Sequence, residues 1–155
     1  MRIEEKIAKL LINTKKTVAI AESCTGGLLS NRLTNIPGSS KFLKFALVAY
    51  SNESKIKLLK VPRTAIRKYG SVSRQVAVFM AQGARQILNT DFGIGITGIA
   101  GPTGATKTKP TGLTFIAICT DTENICLECQ FKGARKSIKT QAATQALRLL
   151  NEFLT

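Results

Sequence analysis

The sequence predicts one α/β domain: an α/β/α sandwich whose mixed sheet ends in a C-terminal β-hairpin followed by a final helix. Three observations predict it. Short apolar runs, partly β-branched, alternate with stretches whose apolar residues recur every three or four positions. The first three runs each open into a polar turn, which is how an α/β protein builds a site at the carboxyl ends of its strands. The last two runs are neighbours joined around Asp121-Thr122-Glu123-Asn124, the pattern of a hairpin. The length of 155 residues suits a single core, because one core serves ~100–200 residues.

Residues Arg2 to Lys15 carry Ile3, Ile7, Leu10 and Leu11 on one stripe and predict an amphipathic helix. Thr17 to Ala21 is a buried strand, ending in the turn Glu22-Ser23-Cys24-Thr25-Gly26-Gly27. Helical spacing resumes at Leu28, Leu29, Arg32 and Leu33, and Ile36-Pro37-Gly38-Ser39-Ser40 breaks it. Phe45 to Tyr50 is the second strand, leading through Ser51-Asn52 into a short helix with Glu53 and Lys55. A brief helix from Pro62 to Tyr69 stops at Gly70. Ser73 then caps a longer helix whose core stripe is Val76, Ala77, Met80, Ala84, Ile87 and Leu88, with Gly83 marking close packing. Asp91 to Thr97 is the third strand and opens into a glycine-rich loop, Gly98 to Gly104, that continues to Pro110. Leu113 to Cys119 and Ile125 to Phe131 form the hairpin. A last helix after Arg135 is buried through Ile138, Ala142, Leu149, Leu150 and Phe153.

Composition narrows the chemistry. Hydrophobic residues at 44% and charged ones at 21% belong to an ordinary globular chain. There is no histidine, which removes Ser-His-Asp and Cys-His mechanisms and any zinc site that needs imidazole. A base working near neutral pH must then be Lys, Tyr, a carboxylate or a cofactor. The cysteines are Cys24, Cys119, Cys126 and Cys129, and neither an apolar leader nor a membrane-length apolar run is present. A cytoplasmic protein with reduced thiols is expected. Cys126-Leu127-Glu128-Cys129 has C-x-x-C spacing but falls within a strand without a second pair, so no metal and no redox role is assigned.

The formal net charge is +14, and between Lys41 and Arg74 nine basic residues face the single acid Glu53. Such a surface attracts phosphates, on a polymer or on a small nucleotide. Aromatics are only 6%, with no Trp, so stacking platforms for nucleic acid are poorly supplied. Weak polyanion affinity is expected, without dedicated nucleic-acid binding.

Polar clusters follow the first three strands: Glu22 to Gly27, Tyr50-Ser51-Asn52 with Lys55, and Thr97-Gly98 with the following glycines. Strand ends on one side of a sheet converge, so these segments share a crevice. Ser23 at a strand-to-helix turn presents a hydroxyl near amides that favour anions. Lys55 serves as its base if burial and positive neighbours lower its pKa, and Tyr50, on the approach to Lys55, relays or donates a proton.

The segments Ala21-Glu22-Ser23-Cys24-Thr25-Gly26-Gly27, Pro37-Gly38-Ser39-Ser40 and Tyr50-Ser51-Asn52 with Lys55 resemble those of the CinA C-terminal domain family. Gly70-Ser71-Val72-Ser73, Gly98-Ile99-Ala100-Gly101-Pro102, Lys109-Pro110-Thr111-Gly112 and Phe131-Lys132-Gly133-Ala134-Arg135 continue the resemblance in order, roughly from Thr17 to Leu154. It implies a nicotinamide-nucleotide amidase that converts nicotinamide mononucleotide to nicotinate mononucleotide and ammonia. The family's catalytic serine, tyrosine and lysine match Ser23, Tyr50 and Lys55, a Ser-Lys type site with no metal and no cofactor. The substrate and its phosphate are expected at Thr25, Gly26, Asn52, Thr97, Gly98, Gly101 and Arg135. Ala134 stands where the family has Asp, and the stretch from Gly101 to Pro110 is more basic than its counterparts. Larger relatives carry an additional N-terminal domain. Residues 1–155 are expected to form one amidase domain, assembling as a homo-oligomer and taking a small pyridine nucleotide. The competing readings are a catalytically degenerate member that binds nucleotides or polyanions, and a nucleic-acid accessory protein driven by charge.

Overall fold

A computed structural model describes residues 1–155. The chain runs α1 (Ile3–Thr14), β1 (Val18–Glu22), α2 (Leu28–Thr34), a 3₁₀ turn (Ser39–Lys41), β2 (Leu43–Val48), α3 (Asn52–Leu59), α4 (Arg63–Tyr69) and α5 (Arg74–Leu88). It continues with β3 (Phe92–Gly98), β4 (Leu113–Cys119), β5 (Asn124–Gln130) and α6 (Arg135–Leu154). The five strands form one mixed sheet in the order β2-β1-β3-β4-β5. β1 is parallel to both neighbours, and β3, β4 and β5 are successively antiparallel. The chain leaves β1 to one side and returns on the other, so the crevice of an open α/β sheet falls at the carboxyl end of β1.

Residue size separates the two faces. Val18, Ile20, Ile94, Ile96, Ile116 and Ile118 give one face a layer of branched side chains, covered by Leu11 of α1, Leu29 and Leu33 of α2, and Leu147 and Leu150 of α6. At the middle of the other face stand Ala19, Ala21 and Ala117, with Gly93 and Gly95 between them, and α5 lies directly on them; the larger Phe45, Leu47, Leu113 and Phe115 flank this strip. A Cβ at Gly95 would collide with the Ala77 carbonyl and lie 2.7 Å from the Ala81 nitrogen. Gly83 admits the Leu59 carbonyl in the same way, the close packing its position predicts. Asp91 fixes the start of β3 against the chain entering β1, accepting hydrogen bonds from the Thr17 amide and hydroxyl at 2.8 and 2.9 Å.

The α5 stripe ends earlier than its sequence suggests. Ile87 and Leu88 are 43% and 56% exposed. Arg85 already sits level with Gly93 near the start of β3, so the last turn overhangs the sheet. No helix is long and apolar enough to cross a membrane.

Candidate active site

The turn after β1 is held from beneath by a carboxylate. Alternation along β1 sends Glu22 to the same face as Val18 and Ile20, where it is fully buried. Its oxygens accept from the Thr25 hydroxyl (2.6 Å), the Leu29 and Ser30 amides (both 3.0 Å) and the Ser30 hydroxyl (2.5 Å). Two of the orphan amides at the start of α2 are thereby satisfied, and the turn is tied to the strand. Ser23 follows on the opposite face, with its amide donating to Ile96 of β3.

The second group comes from α3, whose start is set by Ser51: its hydroxyl accepts from the Ser54 amide at 3.0 Å. One turn in, Lys55 points inward and is only 2% exposed. Its Nζ lies 2.9 Å from Ser23 Oγ, 2.7 Å from the Ala49 carbonyl and 3.5 Å from the Tyr50 carbonyl. A protonated amine has three hydrogens for these three oxygens. A neutral one has two, which the carbonyls accept, leaving its lone pair directed at the Ser23 hydroxyl. Burial lowers the Lys55 pKa from its ordinary 10.5 to about 8, opposed by the neighbouring Cys24. Cys24, the adjacent sulfur, is pushed up to about 12 by burial and stays a thiol near neutral pH.

The third side comes from β3 and the loop after it. Thr97 donates to the Ser71 carbonyl at 2.8 Å, drawing the segment before α5 against the strand end. Ser71, Val72, Ile99, Ala100, Thr103 and Gly104 wall a pocket of about 320 Å³, with Ser23, Cys24 and Lys55 inside it and Tyr50, Asn52 and Arg135 at its rim. Arg135, first residue of α6, donates to the Gly101 carbonyl at 2.7 Å and to the Tyr50 hydroxyl at 3.0 Å. The amides of Ala100, Thr103 and Gly104 donate to no backbone carbonyl. The arrangement therefore supplies a hydroxyl, a buried amine of lowered basicity, free N–H donors and a guanidinium around one cavity.

The CinA C-terminal domain family matches residues 1–154. The chain belongs to that family. A CinA-like protein of Dictyoglomus thermophilum is 48% identical over 152 residues, covering 98% of this chain and 37% of the relative. One from Syntrophus aciditrophicus is 45% identical over 153 residues, covering 98% of this chain and 36% of the relative. The chain thus spans little more than a third of the length of these curated relatives. Among solved structures, CihA of Agrobacterium tumefaciens superposes with a TM-score of 0.92 at 33% identity, covering 100% of this chain and 98% of that one. A CinA superfamily protein of Escherichia coli gives 0.94 at 30% identity, covering 97% and 88%. The single α/β domain with its open mixed sheet is the fold of these CinA proteins.

Within this CinA domain the expected site residues divide. Ser23, Lys55, Asn52, Thr97, Gly98 and Arg135 meet at the pocket, and so does Tyr50. The Tyr50 hydroxyl, however, faces Arg135; only its backbone carbonyl approaches Lys55, and the residue is 62% exposed. Thr25 and Gly26 do not line this pocket. The Thr25 hydroxyl is spent on Glu22, and both residues line a separate cleft against Lys136 and Lys139. The α2 amides expected to hold an anion are likewise taken by Glu22. Gly101 contributes through its carbonyl to Arg135 rather than to the pocket wall. Ser71, Val72, Thr103 and Gly104 were not among the expected site residues, although Gly70 to Ser73 and the glycine-rich loop stood out as motif segments. Ala134 proves to be the N-cap of α6 and lies outside the pocket lining.

Proposed function

We propose that this domain hydrolyses the carboxamide of nicotinamide mononucleotide, giving nicotinate mononucleotide and ammonia through an acyl-enzyme on Ser23. The observation that carries this reading is the buried Lys55 amine 2.9 Å from Ser23 Oγ, within a pocket bordered by Arg135. At pH 7 a lysine titrating near 8 is neutral in about a tenth of molecules, against well under a thousandth for a solvated one. Ser23 Oγ attacks the carboxamide carbon as Lys55 takes its proton. Donors such as the Ala100 amide meet the resulting oxyanion, each good one contributing ~3 kcal/mol. The C–N bond then breaks, the Lys55 proton passes to nitrogen, and ammonia leaves. Water repeats the sequence on the acyl-enzyme, releasing the pyridine carboxylate and restoring the serine. Arg135 has guanidinium hydrogens beyond those given to Gly101 and Tyr50, and they suit the substrate phosphate. Because Ala134 sits outside the pocket, the missing acid leaves this constellation whole and gives no support to a degenerate binder.

The test is ammonia release from nicotinamide mononucleotide by the purified protein. Ser23→Ala should abolish it and Cys24→Ala should retain most of it. A folded wild-type protein that releases no ammonia removes the substrate assignment, and an inactive Cys24→Ala beside an active Ser23→Ala reverses the nucleophile.

A further inference from the structure

We propose that Lys109 is a positioning residue that latches the glycine-rich loop onto the junction between α4 and α5 and thereby sets the width of the pocket. Its kinetic arm rests on the amidase reading above. Lys109 Nζ donates to the carbonyl of Tyr69 and, at 2.6 Å, to that of Val72. Tyr69 is the last residue of α4, so its carbonyl is one of the orphan acceptors of a helix end, where a cation is favoured. Gly70, at φ +81°, makes room: a Cβ there would lie 2.7 Å from the ammonium nitrogen. The lysine is itself held in place by Thr106, whose amide donates to the Lys109 carbonyl at 2.8 Å and whose hydroxyl accepts from the Lys109 amide at 3.1 Å.

The segment that Lys109 grips is the pocket wall. Thr97 holds the Ser71 carbonyl and Ser73 holds that of Gly70 at 2.9 Å, so Lys109 completes a set of three anchors on Gly70 to Ser73. On its own side of the pocket, the loop carries Thr103 and Gly104 opposite Ser71 and Val72. Backbone bonds hold the two ends of the loop, at Ile99 and Pro110; across residues 101–109, Arg135 to Gly101 and Lys109 to Tyr69 and Val72 are the hydrogen bonds that tie it to the rest of the molecule. Arg135 lies at the rim, where it is within reach of substrate. Lys109 lies outside the pocket lining, so its hold on the loop is independent of what Arg135 binds.

Lys109→Met keeps the length of the side chain and removes the donors; Lys109→Arg keeps the donors. The first readout needs no substrate: the rate at which trypsin cuts the native protein after Lys107, an exposed site inside the loop. Cleavage requires local opening, so Lys109→Met should be cut at least ~10-fold faster and Lys109→Arg close to wild type. The second is the kinetics on nicotinamide mononucleotide. KM should rise ~10-fold or more in Lys109→Met with a smaller change in kcat, while the rise of kcat/KM with pH keeps its midpoint, because Ser23 and Lys55 are untouched. Unchanged cleavage overturns the latch. Faster cleavage with unchanged KM overturns the positioning role. If the wild-type protein releases no ammonia the amidase reading falls, and the cleavage rates still decide whether Lys109 holds the loop.

Discussion

Lys55 loses stability for the fold in the same act that prepares it for chemistry. Its folded pKa of about 8 lies below the ordinary 10.5, so between those values the unfolded chain binds more protons than the folded one. Stability therefore rises with pH across that window; a penalty of ~3 kcal/mol is present at pH 7 and is relieved by pH ~10.5. Urea unfolding of wild type and Lys55→Met at both ends of the window should show the difference moving ~3 kcal/mol in favour of wild type at the alkaline end. Under the proposed Ser-Lys mechanism the same titration sets turnover: kcat/KM should climb about tenfold per pH unit below a midpoint near 8, and Lys55→Arg should be inactive because guanidinium keeps its proton. Ser23 and Lys55 were legible as partners because each follows a strand end and strand ends converge. The partner of Thr25 was not legible, because a sequence shows a hydroxyl beside two glycines without showing the buried carboxylate of Glu22 to which it donates. For Tyr50, position in the chain gave the approach to Lys55, but only the path of the backbone decides that the carbonyl arrives there and the ring does not.

At the scale of elements, every strand and every α-helix was readable from periodicity and turn residues, with shifts at the ends. Ile87 and Leu88 continue the right spacing, and what removes them from the core is where the sheet stops, a fact that α5 does not contain. Ala134 gains a meaning only when α6 is seen to begin there. It leaves the helix without a side-chain cap and without an acid in the first turn, beneath Arg135 and Lys136. Ala134→Asp should therefore stabilise the protein by about 1 kcal/mol, read as a rise in Tm, through an accepted hydrogen bond and a favourable helix dipole interaction. A fall in Tm would place position 134 under some other constraint.

For the whole molecule, the strip of alanine and glycine at the middle of one sheet face decides how near α5 can lie to the sheet. Gly95→Ala should cost at least ~3 kcal/mol or abolish folding, since its new methyl meets the backbone of α5 rather than a side chain that can turn aside; chemical denaturation of the variant measures it. The mixed sheet was legible from the final hairpin, whereas the interior place of β1, between β2 and β3, was not, because nothing local in Val18 to Glu22 specifies two partners. That interior place has a consequence for biogenesis. β1 can find β2 soon after leaving the ribosome, but its other neighbour begins at Phe92, and until those residues emerge β1 presents an unpaired apolar edge. Such edges recruit other chains. A chain arrested just before Phe92 should therefore aggregate more readily than the folded domain.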